Sequence, residues 1–220
     1  MERQRHNTLW GFEDWLYDDG AVLIKRICAD MRLSVQVHPN DETAKTVGGR
    51  AKTEMWCVLR DGPIFAGFRP GVTEADVVRA VDDGSFEDLL VRFDARAGEC
   101  YFIPGGLVHA IGEGTAVFEV QQSSDTTFRL YDWGRTDADG NPRQLHVSEA
   151  LAAMDLSIPP PVPGDSVECR YFTFRKIEAD KMTAESSRRV VYDPVSDLLT
   201  VVEPYDAPDL PGSAFEVVLP

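Results

Sequence analysis

The stretch Gly98-Glu-Cys-Tyr-Phe-Ile-Pro-Gly-Gly-Leu-Val-His109 decides the fold of this chain of 220 residues. Its centre, Pro104-Gly105-Gly106, favours a tight turn, because proline presets one backbone angle and glycine tolerates conformations that other residues avoid. The apolar residues before and after the turn are typical of two short strands. The pattern therefore predicts a strand, a turn and a second strand, with His109 just inside the second strand.

A second stretch, Leu33-Ser-Val-Gln-Val-His38, alternates apolar and polar residues. Alternate side chains of a strand share a face, so one face would be apolar and the other would carry Ser34, Gln36 and His38. Gln36 and His38 are two residues apart and could therefore contact the same ion. A polar face of this kind borders either solvent or a site.

The composition excludes some classes of partner. The chain has 37 acidic and 22 basic residues and a formal net charge of -15. Such a surface repels nucleic acid and anionic membranes, so we expect neither as a partner. The start of the chain leads into no apolar segment, and there is no run of about 18 apolar residues, which predicts neither a signal peptide nor a membrane span.

The four cysteines form no C-x-x-C pair; they are Cys28, Cys57, Cys100 and Cys169. Widely spaced cysteines in apolar, strand-like runs are typical of buried free thiols in a reducing compartment. We therefore expect four free thiols and a cytoplasmic protein.

Many short strands with Gly- and Pro-rich turns, and only a few helices, argue for a β-barrel or sandwich. Short helices are predicted at 41–47, near 73–90 and at 146–154. Thr53–Leu59 and Ile64–Gly67 read as a hairpin around an Asp-Gly turn.

The Pro-rich segment 158–164 is the one convincing linker, since a run of prolines favours an extended backbone. It divides the chain into 1–157, with an N-terminal aromatic segment, and 165–220. We expect the first part to form a barrel. The second is too short for a full barrel, and we expect it to form either an incomplete second barrel or strands that cap the first.

The spacing G-x5-P-x-G-x-x-H of residues 98–109 resembles the second motif of the cupin superfamily. In cupins this histidine points into a small β-barrel and binds a divalent metal. The first cupin motif supplies H-x-H and a downstream glutamate, and here Gln36-x-His38 and Glu54 stand in that order. The resemblance implies an all-β fold with few short helices, a cupin or RmlC-like jelly-roll barrel with a short strand-rich C-terminal extension.

Together Gln36, His38, Glu54 and His109 offer two imidazoles, one carboxylate and one amide oxygen. This mixed set of nitrogen and oxygen donors suits one Zn2+ per chain, or another first-row divalent metal, with positions left open for a substrate. Each of the four residues, taken alone, is also compatible with an ordinary polar position at a strand end.

Four blocks of sequence go further and resemble the type I phosphomannose isomerase family in a short form. They occur in the family's order at 33–41, 52–56, 103–111 and 119–135. The family interconverts mannose 6-phosphate and fructose 6-phosphate with zinc, and its zinc ligands fall on the four residues that the spacing had already selected.

The resemblance also implies roles for residues outside the metal set. Catalytic roles fall on Arg129, Lys52 and Asp125, the last as the acidic partner in ring opening. Binding of the substrate's phosphate falls on Ser34 and Arg135. From the alternation with Val120, we expect two further residues to line the barrel near the metal: Glu119 and Gln121.

Physical chemistry supports these roles independently. Aldose–ketose isomerisation moves a proton between C2 and C1 through an enediol, and a divalent cation stabilises the charge that develops on oxygen. A nearby cation would lower the proton affinity of Lys52 enough for it to act near neutral pH. Arginine matches the geometry of a phosphate dianion, although surface salt bridges are an alternative for both Arg129 and Arg135 in so acidic a protein.

We therefore expect a zinc-dependent isomerase that interconverts mannose 6-phosphate and fructose 6-phosphate, or a related sugar phosphate. The alternatives are another metal-dependent cupin enzyme, such as an oxygenase or epimerase, and a non-catalytic sugar-binding cupin. The expected partner is the sugar phosphate itself, bound by a monomer or a homodimer.

Overall fold

The computed structural model describes residues 3–136, 139–178, 183–208 and 212–220, which form three antiparallel sheets and a few short helices. The first sheet has six strands in the spatial order β1 (Gln4–Thr8), β2 (Gly11–Asp18), β3 (Val22–Ala29), β10 (Ala116–Gln122), β5 (Glu54–Arg60) and β8 (Cys100–Ile103). The second has five, in the order β11 (Phe128–Tyr131), β4 (Val35–Val37), β9 (His109–Ile111), β6 (Gly62–Phe68) and β7 (Leu90–Ala95). The third has five, in the order β12 (Ser166–Glu168), β13 (Thr173–Glu178), β16 (Ser213–Val218), β14 (Arg189–Asp193) and β15 (Leu198–Val202).

The first two sheets enclose a shared interior and form the predicted all-β jelly-roll barrel. Ile27 and Val58 of the first sheet pack there against Ile64 and Ile111 of the second. Side chains on alternate positions of each strand point to the opposite face. Each barrel sheet therefore has an outer face that must also be covered.

Different structures cover the two outer faces. The third sheet packs on the first, with Phe174 and Tyr192 in one buried cluster with Ile24 and Phe118. The second sheet is covered by helical segments, namely α2 (Glu74–Asp83), a 3-10 helix (Phe86–Leu89) and α3 (Val147–Ala153), while the one-turn helix α1 (Ala44–Val47) lies beside α3. None of the helices in the described residues is long and apolar enough to cross a membrane.

Helix α2 shows why a helix forms at this point of the sequence. Thr73 lies just before it with extended backbone, and its hydroxyl accepts a hydrogen bond from the backbone N–H of Asp76, whose carboxylate accepts one from the Thr73 N–H in return. This reciprocal cap satisfies two N–H groups that the helix cannot use. Gly84, in the left-handed conformation, ends the helix.

Two local predictions are wrong. The segments predicted as a hairpin are β5 and β6, but they lie in different sheets, because the chain crosses from one to the other at Asp61-Gly62. Leu33 was expected to share a face with Val35 and Val37. It packs in the barrel interior, while Val35 and Val37 lie beneath the helices, because β4 begins only at Val35.

The expectation of four free thiols is wrong for one pair. Cys57 and Cys100 are joined as a disulfide, and only Cys28 and Cys169 are free. The two paired residues stand 43 positions apart in the sequence but directly opposite each other on β5 and β8. Sequence spacing did not reveal this pairing because it depends on the register of two strands.

The segment predicted as a linker follows the barrel surface on its way to the third sheet. Ile158 packs against the edge of the interior cluster, and the Gly164 N–H donates to the Cys100 carbonyl at 2.9 Å. The described residues from 165 onward form a sheet that shares a buried cluster with the barrel, and the division of the chain at 158–164 remains a prediction.

Candidate active site

The tight turn at Pro104–Gly106 joins the segments that carry the candidate ligands. Gly106 donates its N–H to the His38 carbonyl at 2.8 Å, and Gly105 donates to the Thr53 hydroxyl at 3.2 Å. A side chain at Gly105 would lie 2.8 Å from the Pro39 carbonyl, so the close approach requires glycine there. The Pro104–Gly106 turn is therefore hydrogen-bonded to the segments that carry His38 and Thr53, and it directly precedes the strand that carries His109.

A row of polar side chains crosses the second sheet. Gln36 on β4 lies opposite His109 on β9 and, on its other side, opposite Arg129 on β11. Directly opposed residues of antiparallel strands point to the same face. The strand pairing thus brings together three residues that lie far apart in sequence.

A second row crosses the first sheet, facing the barrel interior. Trp56 on β5 lies opposite Glu119 on β10, and Glu119 lies opposite Lys25 on β3. Lys25 in turn opposes Trp15 on β2 and lies 5.4 Å from the centre of its ring. This row places a buried carboxylate between an indole and an ammonium group.

The candidate metal centre lies between the two sheets. Potential ligand atoms of His38, Glu54 and His109 all lie within 4.8 Å of one another, and all three residues are buried. His38 Nε2 is 3.1 Å from Glu54 Oε1, and His109 Nε2 is 3.7 Å from Glu54 Oε2. Three of the four predicted ligands therefore converge on one point, and Gln36 faces the same interior through its pairing with His109.

Both imidazoles are oriented by the backbone. The Nδ1 atom of His38 is 2.9 Å from the Thr126 carbonyl, and that of His109 is 2.8 Å from the Leu107 carbonyl. A carbonyl only accepts, so Nδ1 donates in each case and Nε2 is left with its lone pair toward Glu54. His109 Nε2 is buried and has no hydrogen-bond partner.

The charge states of the three residues favour binding of a cation. Burial, and next the charge of Lys52, lower the pKa of His38 to about 3, and burial lowers the pKa of His109. Burial opposes ionisation of Glu54, but the charge of Lys52 beside it helps to hold the pKa of Glu54 well below the usual range. Neutral imidazoles and an ionised carboxylate are the forms that ligate metals.

Lys52 lies directly beside these donors. Its Nζ is 2.7 Å from Glu54 Oε1 and 3.4 Å from His38 Nε2. Burial lowers the pKa of Lys52, but Glu54 and then Glu119 outweigh it and raise the pKa above the ordinary value. The two carboxylates thus favour the protonated form of Lys52.

Glu119 and Gln121 also line this interior, as the alternation predicts. The Trp56 indole N–H lies 2.8 Å from Glu119 Oε2 and 3.0 Å from Glu54 Oε2, linking the two carboxylates. Burial, and next the charge of Glu54, raise the pKa of Glu119 to about 7. The Gln121 amide donates to the carbonyls of Gln122 and Ser124.

A cavity of about 440 Å³ opens beside the metal centre. Six of the predicted site residues line it, namely Ser34, Gln36, Lys52, Glu119, Asp125 and Arg129. Sequence reasoning missed other lining residues with chemistry to offer, namely Trp10, Glu13, Trp15, Lys25, Arg50 and Arg143. Trp15 stands in the N-terminal aromatic segment and Lys25 on β3, but neither belongs to a motif, so only the pairing of β2 and β3 brings them to the site.

Arg135, predicted to contact phosphate, is not among the described residues that line this cavity. Its guanidinium donates to the Arg32 carbonyl at 2.6 Å, to the Asp132 carbonyl at 3.3 Å and to the Asp132 carboxylate. The structure thus brings nine of the eleven predicted site residues to the cavity or to the metal centre beside it. Gln121 lies opposite Glu54 on the neighbouring strand, and Arg135 lies outside both.

The chain is similar to known proteins in sequence and in fold. No family model matches the chain. Mannose-6-phosphate isomerase ManA of Bacillus subtilis (strain 168) is 37% identical over 190 residues, which cover 79% of this chain and 59% of that protein. Four curated relatives are matched over 44% to 59% of their length, so the chain spans about half the length of the curated relatives it matches.

Solved structures share the fold. The crystal structure of the mannose 6-phosphate isomerase from Bacillus subtilis matches with a TM-score of 0.75 and 21% identity, over 98% of this chain and 97% of that one. A mannose 6-phosphate isomerase bound with zinc and yttrium matches with a TM-score of 0.54 and 14% identity, over 91% of this chain and 79% of that one.

A jelly-roll barrel with two imidazoles and a carboxylate converging in its interior defines a cupin-fold protein with a candidate metal site. In sequence and in fold, the chain is similar to the mannose-6-phosphate isomerases named above.

Proposed function

We propose that this protein is a zinc-dependent aldose–ketose isomerase that interconverts mannose 6-phosphate and fructose 6-phosphate. The observation that carries the proposal is a single cavity that adjoins a cluster of metal donors and is also lined by arginines. A sugar phosphate offers hydroxyl groups to a metal held by these donors and a phosphate dianion to the arginines. The names of the curated relatives support the same reaction.

The residues present fit a divalent metal. The buried, unpartnered Nε2 of His109 and the ionised Glu54 need a cation to satisfy them, and the ammonium group of Lys52 already lies against the same donors. His38, Glu54, His109 and Gln36 would hold the ion, which would stabilise the negative charge that develops on the sugar's oxygens. Nitrogen and oxygen donors of this kind suit Zn2+, and a related structure holds zinc.

Protein side chains supply the proton chemistry. Lys52 lines the cavity, and its Nζ can donate a hydrogen bond to a sugar oxygen there. The Oε1 atom of Glu119 is buried without a hydrogen-bond partner, and its raised pKa lets this carboxyl take up and return a proton near neutral pH. Asp125 lines the same cavity and is the proposed acid for ring opening.

The test is a substrate screen on the purified protein. With zinc added, it should convert mannose 6-phosphate to fructose 6-phosphate, EDTA should abolish turnover, and unphosphorylated mannose should be a poor substrate. Metal analysis and oxygen consumption on the same sample separate an isomerase from an oxygenase. If zinc is bound but no hexose or pentose phosphate is turned over, the enzymatic proposal is wrong.

A cytoplasmic location and a monomeric or homodimeric state remain part of this proposal. Because Cys57 and Cys100 form a disulfide, the cysteines no longer argue for a cytoplasmic location. The proposed location then depends on the phosphorylated substrate alone.

A further inference from the structure

The loop after β11 folds back on itself and brings a second arginine to the cavity. Thr136 and Pro142 form an isolated bridge, and the Arg143 N–H lies 3.4 Å from the Arg135 carbonyl. Arg143 therefore sits next to Arg135 in space although eight positions separate them in sequence. Both guanidinium groups contact the carboxylate of Asp132.

The two arginines differ in what else they contact. Arg135 directs Nε and both terminal nitrogens at Asp132 and at the Arg32 carbonyl, and it does not line the cavity among the described residues. Arg143 is held by Asp132 through one nitrogen, Nη1, at 3.1 Å, and its side chain lines the cavity beside Arg129.

Arg129 and Arg143 face the cavity as a pair. Arg129 donates from Nη1 to the Gln144 carbonyl at 2.7 Å, and its Nε is buried without a hydrogen-bond partner. Arg143 lines the same cavity as Arg129 and directly precedes Gln144, the residue that Arg129 contacts. Burial, next the positive charge of Arg143 and to a smaller extent that of Arg135 lower the pKa of Arg129. Two adjacent cations repel each other until an anion lies between them.

We propose that Arg143, rather than Arg135, binds the substrate's phosphate together with Arg129. This inference rests on the proposed function for the identity of the substrate, but it concerns any phosphate dianion that enters the cavity. Guanidinium groups suit this task because they present paired N–H donors that match phosphate oxygens.

The experiment measures binding of inorganic phosphate to the metal-loaded protein by calorimetry, and KM and kcat for mannose 6-phosphate. The Arg143→Ala variant should raise the Kd for phosphate and KM at least tenfold, with a smaller change in kcat. The Arg135→Ala variant should change the Kd less than threefold, and Arg92→Ala, on the exposed edge strand β7, should change nothing. Arg143→Lys keeps the charge without the fork and should recover only part of the binding.

The outcomes separate this inference from the proposed function. Phosphate binding that depends on Arg143 in a protein without isomerase activity would keep the inference and discard the isomerase. An unchanged Kd in folded Arg143→Ala or Arg143→Lys protein would overturn it. So would an equal loss in Arg135→Ala, or a wild-type protein that does not bind phosphate.

Discussion

The two ends of the cavity are built in different ways. At the metal end, His38, Glu54 and His109 are buried in strands or at a strand's end, and each imidazole is fixed by a backbone carbonyl. At the arginine end, Arg129 lies on the edge strand β11 and Arg143 on the loop that follows, and both are partly exposed. A metal demands donors at fixed distances, whereas long guanidinium side chains can adapt to a phosphate after it arrives.

The largest effect should come from breaking the metal end. In the His109→Ala variant, the metal loses one of its two imidazole donors, so we expect bound zinc to fall below detection and isomerase activity to fall on the order of 10³-fold or more. Metal content of the purified variant and its initial rate at saturating mannose 6-phosphate measure this. His6→Ala, an exposed histidine on β1, is the matched control and should keep its zinc.

The contrast between the two ends of the cavity also predicts which property His109→Ala should leave unchanged. Because the arginine end does not depend on the metal donors for its shape, inorganic phosphate should still bind within a few-fold of the wild-type affinity. Loss of both zinc and phosphate binding in a folded variant would mean that the two ends form one unit.

The converse change is Arg129→Ala, which should leave the metal bound and reduce turnover. We expect zinc at one equivalent and activity reduced on the order of 10²–10³-fold, because the variant loses the charge at the arginine end and the anchor to the Gln144 carbonyl beside Arg143. Normal activity in this variant would refute the role assigned to Arg129.

The sequence predicted the metal end far better than the arginine end. His38, Glu54 and His109 belong to short motifs, and the tight turn that joins them is written in consecutive residues, Pro104–Gly106. Arg143 reaches the cavity only because the loop after β11 folds back, which no local spacing encodes.

The same distinction explains the wrong predictions within the fold. The Cys57–Cys100 pair and the separation of β5 from β6 both depend on which strands become neighbours. Asp61-Gly62 indicates a turn but not whether the chain returns to the same sheet or crosses to the other. Local turn signals therefore predicted the elements along the chain, and strand pairing decided the rest.

A subtler change tests whether the metal end is as rigid as its hydrogen bonds suggest. Trp56→Phe removes an N–H that lies within hydrogen-bonding distance of both Glu54 and Glu119 while keeping an aromatic ring. Loss of such a supporting contact should weaken zinc binding about 10- to 100-fold, as measured by competition with a chelator. Trp133→Phe, which loses a hydrogen bond to the Leu33 carbonyl, is the control and should leave zinc affinity unchanged.

The smallest effect concerns the metal-free protein in acid. The folded state holds the pKa of His38 at about 3, and that of His109 is also lowered, both first by burial. Below pH ~6.5 the unfolded chain gains protons on these groups that the folded state refuses, so His38 costs about 1.4 kcal/mol of stability per pH unit and His109 adds a cost of the same sign. Glu119 acts in the opposite direction, because its pKa of about 7 lets the folded state bind a proton that the unfolded state lacks until about pH 4.5.

Between pH 6.5 and 4.5 the loss at His38 and the gain at Glu119 largely cancel, and the lowered pKa of His109 leaves a small net fall in stability on acidification. Urea unfolding in EDTA at pH 7.5, 6.5, 5.5 and 4.5 measures it. The Glu119→Gln variant lacks the opposing group, so its stability should fall more steeply than that of the wild type, by about 1.4 kcal/mol per pH unit. Arg143→Ala keeps His38, His109 and Glu119 and should follow the wild type. A Glu119→Gln protein whose stability is flat or rises on acidification would mean that the buried imidazoles are not the source of acid sensitivity, and the contrast between the two ends would lose its electrostatic basis.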